Sequence, residues 1–122
     1  MNRRVILQGE VYICDLNDGK NCEQTGCRPC LIIQVDVLNR TSKNVIIVPI
    51  TSRRKKSLPT HVELLRSDYP FLDYAVNTVL CENIRSISKN RLSKRLGIIS
   101  QEDLLKVLKA KEYAFIEIDL TK

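Results

Sequence analysis

The feature that most limits the fold of this chain is a series of short strand-like segments, each ending in turn residues. Residues 9–16 alternate polar and apolar side chains, and this period of two predicts a β-strand. Asn17-Asp18-Gly19 follows as a dense turn signal. Further strands are predicted at 30–37, 45–50, 60–64 and 77–83, and residues 84–87 could prolong the last of them. Short strands with regularly spaced turns predict a small, mainly antiparallel barrel.

One clear helix is predicted late in the chain, from about Gln101 to Tyr113. Ser100 offers an N-cap with the acid Asp103 three residues on, a relative of the capping box. Residues 88–92 predict a short helical turn, and the tail 114–120 fits either a helix or a strand. The fold class is therefore mainly β (α+β), and a length of 122 residues predicts a single domain over 1–122.

The charge of the chain is basic, with 20 Lys plus Arg against 14 Asp plus Glu. The basic residues cluster at 53–56 and 89–95, whereas the acidic residues are scattered. Such clusters fit contact with a polyanion, and charge alone fits solvated loops equally well.

The five cysteines are an odd number, and no long apolar segment follows the N-terminal arginines. We therefore expect no signal peptide, no membrane span, and reduced thiols in a cytoplasm. Cys27 and Cys30 form a Cys-x-x-Cys pair near Cys22, with Cys14 as a fourth candidate ligand, but a second close pair is missing and His61 is the only histidine. Packing thiols and a structural histidine are the favoured interpretation, and no metal or other cofactor is expected.

Two junctions between polar loops and apolar strands are the candidate site. In 23–33 the loop ends at Arg28 and Pro29 and a strand follows; in 48–53 the strand comes first and Thr51 follows it. The Arg28 guanidinium matches two phosphate oxygens, the Thr51 hydroxyl can bond a third, and Glu23 could accept a proton. We predict that the junctions meet around a phosphate, although spacing alone fits ordinary polar residues at strand ends.

Several blocks of the sequence, taken in order, resemble the MazF/PemK-type toxins. These blocks are 9–16, 23–34, 49–52, 58–64 and 81–92, and the likeness spans roughly residues 9 to 110. The resemblance implies an SH3-like barrel of the PemK/CcdB kind that acts as a homodimer in the bacterial cytoplasm. It also implies a metal-independent endoribonuclease that cuts single-stranded mRNA at short sequences and is silenced by a cognate antitoxin.

The resemblance also assigns roles to residues. The family's catalytic arginine and Ser/Thr fall on Arg28 and Thr51, and its loop acid falls on Glu23. Cleavage would proceed by attack of the RNA's own 2′-hydroxyl on the scissile phosphate. RNA-binding residues are expected in the two loops and at the family's glutamine position, which is asparagine here: Gln24, Thr25, Gly26, Ser52, Arg53, Arg54, Lys55, Lys56 and Asn83.

Two alternatives accompany this hypothesis. One is a binding toxin on the same barrel, similar to CcdB, which poisons DNA gyrase by a protein contact. The other is a catalytically weak RNA-binding relative, because Thr25 and Cys27 depart from the family's usual loop residues. The polar loop before Arg28 and the Thr51 junction favour the ribonuclease.

Overall fold

The protein, seen here as a computed structural model, is described over residues 5–16, 26–53 and 56–115. Seven strands and two α-helices follow one another in the order β1 (Glu10–Asp15), β2 (Cys27–Ile32), α1 (Asp36–Thr41), β3 (Asn44–Thr51), β4 (His61–Leu65), β5 (Val76–Leu80), β6 (Arg85–Ser88), β7 (Leu92–Ile98) and α2 (Gln101–Ala110). Short 3₁₀ turns occupy Cys81–Asn83, Lys89–Arg91 and Lys111–Ala114. The predicted helical turn near residue 90 is thus confirmed.

The strands form one antiparallel sheet in the order β4-β5-β3-β2-β1-β7, with β6 also paired to β3. The prediction of a mainly antiparallel fold with a C-terminal helix is confirmed. Among the described strands no ladder joins β4 to β7, so the predicted barrel is an open one.

Strand β3 is the centre of this sheet because it pairs with three other strands. Its first half pairs with β6 (Ile47 opposite Arg85), and its end pairs with β5 (Ile50 opposite Val79). The 3₁₀ turn Cys81–Asn83 takes up the residues that do not fit one continuous ladder. The prediction that 84–87 simply prolongs the preceding strand is therefore wrong, since the turn divides it into β5 and β6.

The prediction for the second strand is wrong at both ends. It begins at Cys27, not Cys30, and it ends at Ile32 because residues 36–41 form α1. The buried Asn39 stabilises this change of direction: its Nδ2 donates to the Gln34 carbonyl (2.9 Å), and its Oδ1 accepts from Gln34 Nε2 (3.0 Å). Apolar composition continues through Val37, so the pattern could not show where the strand ends.

The predicted set of strands lacked β7, which lies along β1. Its sequence, Leu-Ser-Lys-Arg-Leu-Gly-Ile, has no regular alternation. The β1–β7 ladder contains two register shifts, and each shift breaks the period of two. Pairing with β1, a tertiary contact, makes this segment a strand.

The central strands β2 and β3 are buried on both faces, over the second half of β2 and most of β3. One face packs with α2 in a cluster that includes Val11, Leu31, Val79 and Val107. The other face forms a second cluster that includes Tyr12, Ile32 and Ile47. Burial of each such side chain contributes about 1.5–3 kcal/mol to folding.

The N-terminus of α2 is capped as predicted, with one addition. The Asp103 backbone N–H donates to Ser100 Oγ (3.1 Å), but the Asp103 carboxylate accepts from the Tyr69 hydroxyl (2.5 Å) instead of returning to the cap. The Ser100 backbone N–H donates to the same hydroxyl (2.9 Å). Tyr69 therefore completes the cap and ties the β4–β5 loop to α2.

Helix α2 ends at Ala110, three residues short of the prediction, and the tail beyond Phe115 lies outside the described residues.

The cysteines divide into two kinds. Cys14, Cys30 and Cys81 are buried free thiols, as expected. A hydrogen bond with the Cys14 thiol, together with burial, raises the pKa of Cys30, and burial beside Glu82 raises the pKa of Cys81 to about 11. The expectation of a reduced thiol is wrong for Cys27, which is disulfide-bonded. Cys27 is half-buried at the end of a loop, whereas the three free cysteines are buried in the core.

Within the described part of the chain, no helix is long and apolar enough to cross a membrane.

Candidate active site

Two prolines separate the strands that carry the predicted site residues. The β2–β3 ladder runs from Ile32 opposite Ile47 to Cys30 opposite Pro49, and there it stops. Pro29 and Pro49 have no N–H to donate, so the hydrogen bonding between the two strands ends where they lie. Pro29 still lies opposite Ile13 on β1, but it has no partner on β3 in the β2–β3 ladder.

Arg28 and Thr51 lie just beyond this point. Continuing the register by two residues places them opposite each other, where the two strands are no longer bonded. Beyond Pro49, β3 pairs with β5 instead, with Thr51 opposite Thr78. Arg28 is exposed and stays on β1, opposite Cys14. The parting of the strands opens a cleft between the arginine and the threonine.

The Thr51 hydroxyl is held in one orientation. Thr51 is buried, and its Oγ1 accepts a hydrogen bond from the Arg53 backbone N–H (3.1 Å). A hydroxyl that accepts in this way still has its own proton to donate. Thr51 can therefore donate a hydrogen bond to an anion in the cleft.

The cleft has a volume of about 680 Å³ and contains both residues. Both apolar and cationic side chains line it. The lining residues are Ile13, Cys27, Arg28, Pro29, Ile50, Thr51, Ser52, Arg53, Phe71, Leu72, Asp73, Tyr74, Asn77, Lys94, Arg95 and Leu96. Four cationic side chains against the single carboxylate of Asp73 make it a site for an anion.

One of these cations is held by a buried acid. The Arg95 guanidinium pairs with the carboxylate of Glu10, whose side chain is only 4% exposed. This contact raises the pKa of Arg95. Glu10 also accepts from the Leu7 backbone N–H (2.7 Å), so the carboxylate is well satisfied. Arg95 is therefore positioned at the cleft by β1.

The β4–β5 loop forms one wall of the cleft through Phe71, Leu72, Asp73 and Tyr74. The Phe71 ring lies directly on Gly97 of β7, where a Cβ would come within 2.4 Å of two ring carbons. Phe71 also contacts Tyr69, with 5.8 Å between the ring centroids. Packing on Gly97 and the Tyr69 tie to α2 fix this wall in place.

The predicted site residues fall into three groups. Arg28, Thr51, Ser52 and Arg53 meet in the cleft. Gly26, Lys56 and Asn83 are described but do not line it: the Gly26 carbonyl accepts from Leu16 N (3.2 Å), and Lys56 and Asn83 are exposed elsewhere. Glu23, Gln24, Thr25, Arg54 and Lys55 lie outside the described residues.

The sequence analysis missed the β4–β5 loop and β7 as parts of the site. The one signal in the sequence was an aromatic residue among turn residues at Tyr74, which the structure shows to be 59% exposed. Lys94 and Arg95 belong to the second basic cluster, but nothing local shows that β7 lies beside β1. Their place depends on tertiary pairing.

His61 has a structural contact, as predicted. Its Nε2 lies 3.0 Å from Glu82 Oε2, and the Thr60 hydroxyl donates to Glu82 Oε1 (2.9 Å). Burial acts to raise the pKa of Glu82, but its own backbone N–H, His61 and Thr60 together lower it. Within 5–16, 26–53 and 56–115, no three His, Cys, Asp or Glu side chains cluster in a way that could hold a metal ion.

Comparison with known proteins gives consistent matches. A family profile described as "PemK-like, MazF-like toxin of type II toxin-antitoxin system" matches residues 7–113. Endoribonuclease MazF of Staphylococcus saprophyticus is 40% identical over 104 residues, 84% of this chain and 85% of that protein. Endoribonuclease EndoA of Bacillus subtilis is 38% identical over 116 residues, 94% and 98% of the two chains. A mycobacterial endoribonuclease, solved in complex with its cognate antitoxin, is similar with a TM-score of 0.74 at 30% identity, covering 90% of this chain and 94% of that one.

Proposed function

We propose that this chain, which belongs to the PemK-like, MazF-like toxins of type II toxin–antitoxin systems, is an endoribonuclease that cuts single-stranded RNA. The observation that carries the proposal is the meeting of Arg28 and Thr51 in one basic cleft. Its relatives at 38–40% identity are named endoribonucleases. We extend the proposal to the whole chain, 1–122, as one toxin domain acting in the bacterial cytoplasm, where mRNA is translated.

The reaction would be attack of a ribose 2′-hydroxyl, which gives up its proton, on the adjacent phosphorus. The new O2′–P bond closes a 2′,3′-cyclic phosphate, the P–O5′ bond breaks, and the leaving 5′-oxygen takes up a proton to become a 5′-hydroxyl. The guanidinium of Arg28 would bind two phosphate oxygens and stabilise the charge that develops on them. Thr51 would donate a hydrogen bond from its hydroxyl to the phosphate. Arg53, Lys94 and Arg95 would hold neighbouring phosphates, which makes binding fall with salt.

The proton-transfer groups are the second part of the proposal. Glu23 is our candidate base for the 2′-hydroxyl, carried over from the family's loop acid; it lies outside the described residues. A positioned general base contributes typically about 10²–10⁴-fold. Four other loop residues that we expect to bind RNA also lie outside the described residues: Gln24, Thr25, Arg54 and Lys55. We still propose that they bind RNA.

The apolar part of the cleft fits unstacked bases. Sequence-specific RNA binding uses splayed bases that stack on aromatic rings and bond through their edges. Tyr74 presents such a ring, and Asp73 and Asn77 present polar groups beside it. The substrate is thus single-stranded, and its bases enter beside the β4–β5 loop.

A cognate antitoxin and a second copy of this chain are the proposed protein partners. The mycobacterial relative is solved with its antitoxin, and a peptide that covers the cleft would exclude RNA. Homodimerisation follows from the family resemblance. The CcdB-like alternative is not favoured, because the relatives are ribonucleases and a protein contact would leave the Arg28–Thr51 arrangement unused.

The test is cleavage of a mixed RNA with mapping of the cut ends. Arg28→Ala should abolish cleavage, whereas Arg40→Ala, which removes an exposed arginine of α1 outside the cleft, should cut normally. Cutting should persist in EDTA, leave a 5′-hydroxyl, and stop when the scissile nucleotide is 2′-deoxy. A folded Arg28→Ala protein with full activity would refute the assignment.

A further inference from the structure

Asn77 of β5 is a buried residue of the cleft lining whose amide has one unused hydrogen-bonding group. Its side chain belongs to a residue only 3% exposed, yet it lines the site. Its Nδ2 donates to the Tyr74 carbonyl (2.8 Å) and to the Leu64 carbonyl (3.3 Å). An amide nitrogen has two hydrogens, and both are used here.

These two bonds decide which way the amide points. Carbonyl oxygens accept only, so the atom beside them must be the nitrogen, and the opposite orientation would place three oxygens together. Among the described residues no group donates to Asn77 Oδ1, and this oxygen is not enclosed by protein. Asn77 therefore presents to the cleft a fixed hydrogen-bond acceptor.

The position of Asn77 places this acceptor close to the proposed reaction. Asn77 and Thr51 both line the cleft, and they lie on neighbouring strands, offset by one residue in the β3–β5 register. Tyr74, whose carbonyl holds the amide, adds an exposed aromatic ring beside it. A nucleotide that flanks the scissile phosphate would come within reach of both.

We propose, on the basis of the ribonuclease function above, that Asn77 selects a base with an exocyclic amino group at one of the two nucleotides that flank the cut. Adenine, cytosine and guanine carry such a donor on the Watson–Crick edge. Uracil has a single imino donor between two carbonyl oxygens, which would lie against the Asn77 oxygen. An acceptor that a bound base shields from water and leaves without a partner is costly, so uracil is disfavoured there.

The experiment changes the base and the protein together. After the cut site is mapped, each flanking base is replaced in turn by its analogue without the amino group: purine for adenine, 2-pyrimidinone for cytosine, or hypoxanthine for guanine. With the wild-type protein, removal of the amino group at one flanking position should lower kcat/KM by about 10-fold or more. With Asn77→Ala, the same replacement should have no further effect.

The matched control is Asn39→Ala. Asn39 is also a buried asparagine that donates to a backbone carbonyl, but it lies in α1 outside the cleft. This variant should lose stability and keep the wild-type discrimination between base and analogue. If Asn77→Ala does not fold, the wild-type measurements still test the inference, because cutting that ignores amino removal at both flanking positions would overturn it.

Three results would overturn the inference. In the first, the wild-type protein cuts equally well when the amino group is removed at either flanking position. In the second, the wild-type cut sites accept uracil freely at both positions. In the third, Asn77→Ala still distinguishes the natural base from its analogue as well as the wild type does. Failure of the proposed ribonuclease function would give a different result, because the wild-type protein would then cut no RNA at all. In that case the inference on Asn77 would fail as well.

Discussion

Substitution of Gly97 by alanine tests whether the cleft wall is built as described, because its effect should depend on a single neighbour. The added Cβ would lie 2.4 Å from Phe71 Cδ2 and Cε2 and 3.0 Å from Cζ. Carbon atoms in contact prefer about 3.5–4.0 Å, so the ring must retreat by about 1 Å or more. Tyr69 limits that movement on one side.

Two opposing effects determine how much Gly97→Ala changes the free energy of unfolding. Overpacking of this kind costs about 1–3 kcal/mol. The backbone of Gly97 is not left-handed, so alanine adds no backbone strain there. By lowering the conformational entropy of the unfolded chain, alanine would by itself stabilise the protein by about 0.4–1 kcal/mol. The net expectation is a loss of about 1–2 kcal/mol in the free energy of unfolding, with slower RNA cleavage because Phe71 shifts within the cleft.

The assay is urea unfolding of four proteins: wild type, Gly97→Ala, Phe71→Ala and the double variant. In the presence of Phe71, Gly97→Ala should lower the urea midpoint by about 0.5–1 M. In the Phe71→Ala background the same change should be neutral or stabilising, because the ring that it meets is gone. Equal effects in both backgrounds, or a more stable Gly97→Ala protein with Phe71 present, would refute the packing described here.

Two further predictions concern the cleft and the β4–β5 sheet edge. Tyr74→Ala should lower kcat/KM for a cut oligonucleotide by about 5- to 150-fold, since one base–aromatic stack contributes about 1–3 kcal/mol, and an unchanged value would remove Tyr74 from RNA binding. Glu82→Gln should destabilise the protein at neutral pH but not in acid. Because the pKa of Glu82 is lowered on folding, its stabilisation is present above the ordinary value of 4.5 and is lost as the pH falls below it. Urea unfolding of both proteins at the two pH values measures this, and a difference that does not depend on pH would contradict it.

Local chemistry predicted much of the fold because its signals depend on neighbouring residues only. Alternation identified β1, and the apolar run at 45–50 identified β3. The serine and acid at 100 and 103 located the start of α2. The pattern failed where apolar composition continued past a strand's end, as at α1, and where bulges removed the alternation, as in β7.

The candidate site divides in the same way. The two polar-to-apolar junctions, with Pro29 and Pro49 in them, can be read from the sequence, and the prolines themselves stop the ladder that would otherwise join Arg28 to Thr51. The sequence alone therefore determined where the cleft opens and which two residues flank the opening.

Only the tertiary structure decided what else lines the cleft. Phe71, Asn77 and Arg95 lie far from Arg28 in sequence, and each reaches the site through a distant partner: Gly97 beneath the ring, two carbonyls holding the amide, and Glu10 holding the guanidinium. Periodicity and turn chemistry act over a few residues, whereas these contacts depend on which strands pair and how the β4–β5 loop packs on β7. For that physical reason the sequence indicated a phosphate site, and the fold added the surface that contacts the bases.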